Sequence, residues 1–477
     1  MTDDSYRTTA ETAAAIAAKE VSSREFLDAA LDRVDRLDGP VNAVVALDAD
    51  RARTWADAAD AAVMRGDVLG PLHGVPITIK DSFQTEGLVT TSGAPELADF
   101  VPERDADPVA RYKGAGAVVF AKTNLPIWAG DMQSYNKVYG TTGNPFNIDH
   151  TPGGSSGGSG AALAAGYTPL ELGSDIGGSI RIPSHFSGVM GHKPSYGLVS
   201  ALGQIPGMPG TLSQADIAVA GPMARDVDDL EMALDILAGP DAWNSVAYSV
   251  DLPPARHREI ADFRVAVWLD EETCPIDSRY RQLLVGAAEA LEGAGAVVDH
   301  DARPSFTFEK GVDTFFHLLS AAEAGTWTLA ELEEIATQSE PEGELGIWHA
   351  AMRHREWLGW NERRLQQRAK WRTFFEDWDV VLLPVTPTAA LRHDHSRPPT
   401  ARTVEVNGET RPYFDGIKWM GLTGVSWLPA TVVPIGQIDG LPVGVQIAGP
   451  FLEDRTTLAV ARFLQEALGG FQRPDAF

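Results

Sequence analysis

The sequence predicts an α/β protein built on a central sheet, and three observations carry that prediction. Short apolar runs such as 75-VPITIK-80, 117-AVVFAK-122, 263-FRVAVWL-269, 379-DVVLLPVTP-387 and 442-PVGVQIAG-449 read as buried strands. Stretches of helical periodicity alternate with them, the pattern of a sheet covered by helices. No Gly/Ser-rich or charged linker divides the 477 residues, so one large domain is favoured over the two or three that length alone would suggest.

In chain order, residues 1–65 read as helices. Ser22 and Glu25 form an S-x-x-E capping box, followed by Leu27, Leu31 and Val34 at helical spacing. The core follows over 70–240. Its first strand ends at Lys80, a helix over 107–113 leads into 117–122, and 140–160 is loop-rich in Gly, Pro, Asn and Ser. A small-residue helix, 159-SGAALAAG-166, and the apolar 168-TPLEL-172 then separate two glycine–serine clusters, 153-GGSSGGSG-160 and 173-GSDIGGSIRIPS-184. Residues 308–378 read as a polar, helical elaboration carrying Trp327, Trp348, Trp357, Trp360, Trp371 and Trp378, and 379–477 complete the core.

Composition narrows the function classes. A formal net charge of −27 argues against nucleic acid or an anionic membrane surface as partner, because phosphates would be repelled. Only nine of the 39 basic residues are lysine, a bias that a saline habitat or a GC-rich genome would produce equally. The single cysteine, Cys274, leaves no internal disulfide and fits a reducing compartment. The first residues carry neither a basic nor a leucine-rich segment, and no apolar run reaches about 18 residues, so a cytoplasmic location is expected.

The two clusters admit several chemistries. A phosphate loop would need a lysine after the glycines, and a dinucleotide site a strand directly before them; neither is present. Gly154-Ser155-Ser156-Gly157-Gly158 matches G-x-S-x-G with Ser156 central, but the strand before it is missing and the late histidines are His393 and His395. Tight turns and close packing explain one cluster well and two less well. Acyl transfer uses both. Ser155 and Ser179 lie 24 residues apart with a helix and a strand between, which can bring their loops to one sheet edge. Lys80 at the end of an apolar strand would be pushed toward its neutral, basic form, and the 176–179 backbone N–H groups can converge on an oxyanion.

At these residues the chain resembles the amidase signature family. The resemblance rests on the two clusters at their separation and on Lys80 in GVPITIKD. It extends to 122-KTNLP-126, 140-GTTGNPFN-147, 191-GHKPSYG-197 and 443-VGVQIAGP-450, nearly the whole chain. It implies a single α/β domain with a mixed central sheet wrapped by helices. It also implies Ser179 as nucleophile, Lys80 as base, and Ser155 as a bridging serine with a cis peptide bond. The backbone of Ile176, Gly177, Gly178 and Ser179 would form the oxyanion hole, with no metal or cofactor required. Lys122, at the end of another strand, competes with Lys80 but falls in the KTN motif in a supporting role.

Asp175 and Arg181 are expected to brace the loop as an ion pair, and Ser156 to hydrogen-bond within the site, to Lys80 among others. His73, His185 and His192 are expected to be structural. Trp128, Ala129, Gly130 and Asp131 are expected to line the substrate cleft. The activity is read as hydrolysis of a small-molecule carboxylic amide to the acid and ammonia or amine, by a stand-alone amidase with a broad apolar or aryl preference. The alternative is the glutaminase-type subunit of a tRNA-dependent amidotransferase. The exact amide and the oligomeric state, a homodimer included, stay open at this level.

Overall fold

A computed structural model describes residues 4–337 and 349–477, so Trp348 lies outside the described residues. Two sheets form the frame. The larger has eight strands in the order Val297–Asp299, Arg264–Val267, Val380–Leu383, Leu441–Ala448, Ala430–Ile438, Met190–Lys193, Val219–Ala224 and Leu170–Asp175. The first three run parallel and the remaining pairings are antiparallel, so the sheet is mixed. The smaller sheet holds Val44–Leu47, Val118–Thr123 and Pro76–Lys80, with the last two parallel.

The strands expected from apolar runs are present, each buried because helices cover both faces. The Ser22–Glu25 capping box starts the Ser23–Val41 helix, with both reciprocal bonds made. Residues 1–65 are not wholly helical, however. Val44–Leu47 is a strand pairing with Val118–Thr123, too short and too exposed to show a period. Pro434 interrupts Ala430–Ile438 without ending it, because the register shifts between Pro434 and Gly436 and the bulge absorbs the missing N–H.

The 308–378 segment supplies the Phe308–Glu323, Leu329–Thr337 and His354–Asp377 helices. Four of its tryptophans pack against the hydrophobic core. Trp371 is fully buried, stacked on Phe375 at 5.5 Å and edge-on to Phe306 and Phe374, also at 5.5 Å. Trp357, Trp360 and Trp378 are half-buried against the same core. Trp371→Ala is therefore expected to cost about 3–5 kcal/mol of stability. Denaturant melts would read that loss, while the ratio of kcat/KM between two amides in the folded variant stays at the parental value. Among the described residues, no helix is long and apolar enough to cross a membrane.

Candidate active site

Lys80 is the last residue of the Pro76–Lys80 strand, and its side chain is wholly buried. Its Nζ donates to Ser155 Oγ at 2.6 Å and to Ser174 Oγ at 2.9 Å. Burial pushes its pKa down to about 7, only partly opposed by the carboxylates of Asp175 and Glu171. An amine held by hydroxyls rather than by a carboxylate can lose its proton near neutrality. Lys122 is committed elsewhere, donating to the Phe83 carbonyl and to Thr85 Oγ1.

Ser155 follows a cis peptide bond, Gly154–Ser155, immediately before the Gly157–Ala164 helix. Gly154 is confined against the backbone of 131–133; a Cβ there would lie 2.5 Å from the Asp131 carbonyl oxygen. The helix is buried, and its residues are small except for Leu163; Gly158 and Gly160 let it lie close to the backbone at Asn124 and at Pro183. The Ser156 N–H donates to the Ser179 carbonyl at 3.1 Å, fastening the two glycine–serine loops together. Ser156 does not reach Lys80: its hydroxyl meets the Ser174 carbonyl and N–H, each at 3.4 Å. No hydrogen bond joins Ser155 Oγ to Ser179 Oγ among the described residues.

Ser179 stands just before the Arg181–Ser187 helix and keeps 8% of its surface open. Asp175 organises the loop ahead of it. Its carboxylate accepts from the N–H groups of Gly178 at 2.9 Å and Ile180 at 3.2 Å, and from Arg181 Nε at 2.9 Å and Nη2 at 2.8 Å. Burial would raise the Asp175 pKa, but Arg181 and these donors outweigh it and hold the carboxyl near about 2. Arg181 also donates to the Met420 carbonyl, Thr423 and Gln446, tying the loop to the sheet.

This bracing changes the expected oxyanion hole. The Gly178 N–H points back to Asp175, whereas those of Ile176, Gly177 and Ser179 bond to no group among the described residues. Gly178 has φ +113°, and a Cβ would lie 2.4 Å from Met420 Sδ, so only glycine fits.

Trp128 and Ala129 both take positive φ, 53° and 58°, uncommon for residues with side chains and frequent beside functional sites. They remain partly exposed and Gly130 is open to solvent. Asp131 is different. Its carboxylate is buried in an ion pair with Arg402 at 2.6 Å and accepts from the hydroxyls of Tyr135 and Tyr413. It secures the segment behind Gly154 instead of presenting charge to a ligand.

The histidines carry no part of this constellation. His73 bonds to the backbone of Leu69 and Ala59, His185 to that of Gly444 and Thr388, and His192 to Thr431 and Asp454. His395 stacks on Tyr135 at 3.8 Å and His393 bonds to the Ile148 carbonyl. Among the described residues, no group of three or more His, Cys, Asp or Glu could hold a metal ion. Sequence reasoning missed Ser174. It stands inside the second cluster, but its meeting with Lys80 joins strands of two different sheets, which no local pattern reveals.

Known proteins align with this arrangement along its length. The family model described as Amidase matches residues 25–458. A glutamyl-tRNA(Gln) amidotransferase subunit from Moorella thermoacetica is 33% identical, with 98% of each chain covered. A solved chain from a vestigial protein complex, described with the evolutionary origins of an s-triazine catabolic enzyme, superposes with a TM-score of 0.82 at 30% identity, covering 98% of this chain and all of that one. A bacterial aryl acylamidase of the amidase signature enzymes gives a TM-score of 0.81 at 26% identity, covering 97% of this chain and 96% of that one. The chain belongs to the amidase family, the amidase signature hydrolases of amide C–N bonds.

Proposed function

We propose that this chain cleaves a carboxamide through an acyl-enzyme on Ser179, with Lys80 as base and Ser155 as relay. The contact of Lys80 Nζ with Ser155 Oγ at 2.6 Å, in a site where burial favours the neutral amine, carries the reading. Neutral Lys80 takes the Ser155 proton while Ser174 holds the amine through one N–H. Ser155 in turn takes the proton of Ser179, whose Oγ attacks the amide carbon. The tetrahedral oxygen meets the N–H groups of Ile176, Gly177 and Ser179, and fixed donors at that point lower the barrier most where water is excluded. Collapse breaks the C–N bond, and the proton returns from Lys80 through Ser155 to the leaving nitrogen. Water then attacks the ester by the same relay, and Ser179 recovers its proton.

Two readings of the amide remain, and each has its own support. The likeness to glutamyl-tRNA(Gln) amidotransferase subunits spans nearly all of both chains and supports glutamine as ammonia donor within a larger complex. A stand-alone amidase for apolar or aryl amides is supported by the likeness to the aryl acylamidase. Purified full-length chain, assayed alone for ammonia release, separates them. Turnover of benzamide without partners is the result expected of the stand-alone enzyme. Ammonia from glutamine, rising when amidotransferase partner subunits and tRNA are added, is the result expected of the other.

A further inference from the structure

The side of the oxyanion loop that reaches solvent is walled by hydrocarbon. Ile176 and Gly177 are its partly exposed residues. A methyl group built onto Gly177 would lie 3.6 Å from Phe315 Cζ and 3.9 Å from Ile417 Cδ1. Ile417, on the Asp415–Gly424 helix, keeps 6% of its surface open, close to the 8% of Ser179 itself. On the same helix, Gly416 lies so near Met132 that a Cβ there would be 2.7 Å from the sulfur. Phe315 comes from the Phe308–Glu323 helix and is fixed from behind, since Gly421 leaves room for its ring and a Cβ there would fall 2.4 Å from Cδ1. Of the charged groups on the loop and on the Asp415–Gly424 helix, Asp175 pairs with Arg181, and Asp415 pairs with Lys418 and Arg411.

We propose that Ile417, with Phe315 beside it at Gly177, is the specificity-determining seat for the acyl group of the substrate, and that it selects hydrocarbon or aryl acyl groups against amino-acid side-chain amides. The inference rests on Ser179 being the nucleophile, because it is Ser179 that fixes where the acyl carbon sits. An acyl chain leaving the oxyanion loop runs onto a surface that rewards apolar contact. The ammonium and carboxylate of glutamine, set against Ile417 and Phe315, would lose hydration to hydrocarbon that offers them no hydrogen bond.

The test compares kcat/KM for benzamide, acetamide and L-glutamine in the full-length parent, Ile417→Ala and Ile417→Asp, with Ile417→Val as a conservative control. The parent should favour benzamide over glutamine. Ile417→Ala should lower the benzamide-to-acetamide ratio about tenfold, since each methylene contact in an apolar pocket discriminates by that order. Ile417→Asp should lower it about a hundredfold, by placing an unpaired carboxylate against the ring, and Ile417→Val should restore most of it. A ratio unchanged in both Ala and Asp variants overturns the seat, as does a parent that prefers glutamine or leaves benzamide intact. Covalent labelling of Ser179 by a fluorophosphonate, read by mass in the parent, tells failure of the seat from failure of the nucleophile.

Discussion

Ser179→Ala is expected to abolish amide turnover, a loss of about 10^4-fold or more, with the fold unchanged. The argument is positional. Ser179 keeps 8% of its surface exposed and adjoins the N–H groups of Ile176 and Gly177, which bond to no group among the described residues, while Ser155 and Ser156 are at most 1% exposed. Alanine removes one oxygen from a residue whose backbone is already held by the Ser156 N–H, so thermal melting should hardly move. Substrate binding should also persist, which places the loss in kcat rather than KM. Ser155→Ala should cost less, since a water can occupy the space between Lys80 and Ser179. Ser156→Ala should cost least, because its hydroxyl meets only the backbone of Ser174. Steady-state kinetics on the three variants settle the order. Near-parental activity in Ser179→Ala, with the loss confined to Ser156→Ala, would instead favour the G-x-S-x-G match with Ser156 as nucleophile.

The second large effect is at Lys80. In the parent, kcat/KM should rise with pH through about 7 and level off above it, following loss of the Lys80 proton. Lys80→Met should be nearly inactive and should lack this limb. Stability should move the other way. The folded pKa lies far below the 10.5 expected of an unfolded lysine, so the unfolded chain binds the extra proton between about pH 7 and 10.5. Burial of this lysine therefore destabilises the fold by its full amount below about pH 7, where the ammonium itself is held out of water, and the cost fades as pH climbs toward 10.5. Lys80→Met, which removes the titrating group and keeps the length, should raise the melting temperature most at pH 6–7 and least near pH 10. A variant that melts lower at every pH, or a pH–rate limb unchanged by the substitution, would place the base elsewhere.

Much of the fold was legible in the sequence because buried strands and capped helices carry local signatures. The run ending at Lys80, the Ser22–Glu25 box and the two glycine–serine clusters announce their own structures. The short Val44–Leu47 strand carried no such mark, since only its pairing with Val118–Thr123 makes it a strand. The tryptophans of 308–378 drew attention by their number, yet it is Phe315 that faces the oxyanion loop. Burial of a ring in the core or at a cleft leaves the same trace in sequence, so the pattern could not distinguish them.

What the sequence alone determined is the inventory: an α/β chain, a lysine ending an apolar strand, and two serine-bearing glycine loops spaced so that one helix and one strand separate them. Those are properties of contiguous residues, where backbone preference and periodicity act locally. The tertiary structure decided which groups meet. It set Ser174 of the larger sheet against Lys80 of the smaller one. It turned the Gly178 N–H toward Asp175 and away from the open face of the loop. It also drew Asp131 into a buried pair with Arg402, far along the chain. Each of these is a choice among partners distant in sequence, fixed by burial and the need to satisfy polar groups out of water, and such a choice is made only when the whole core closes.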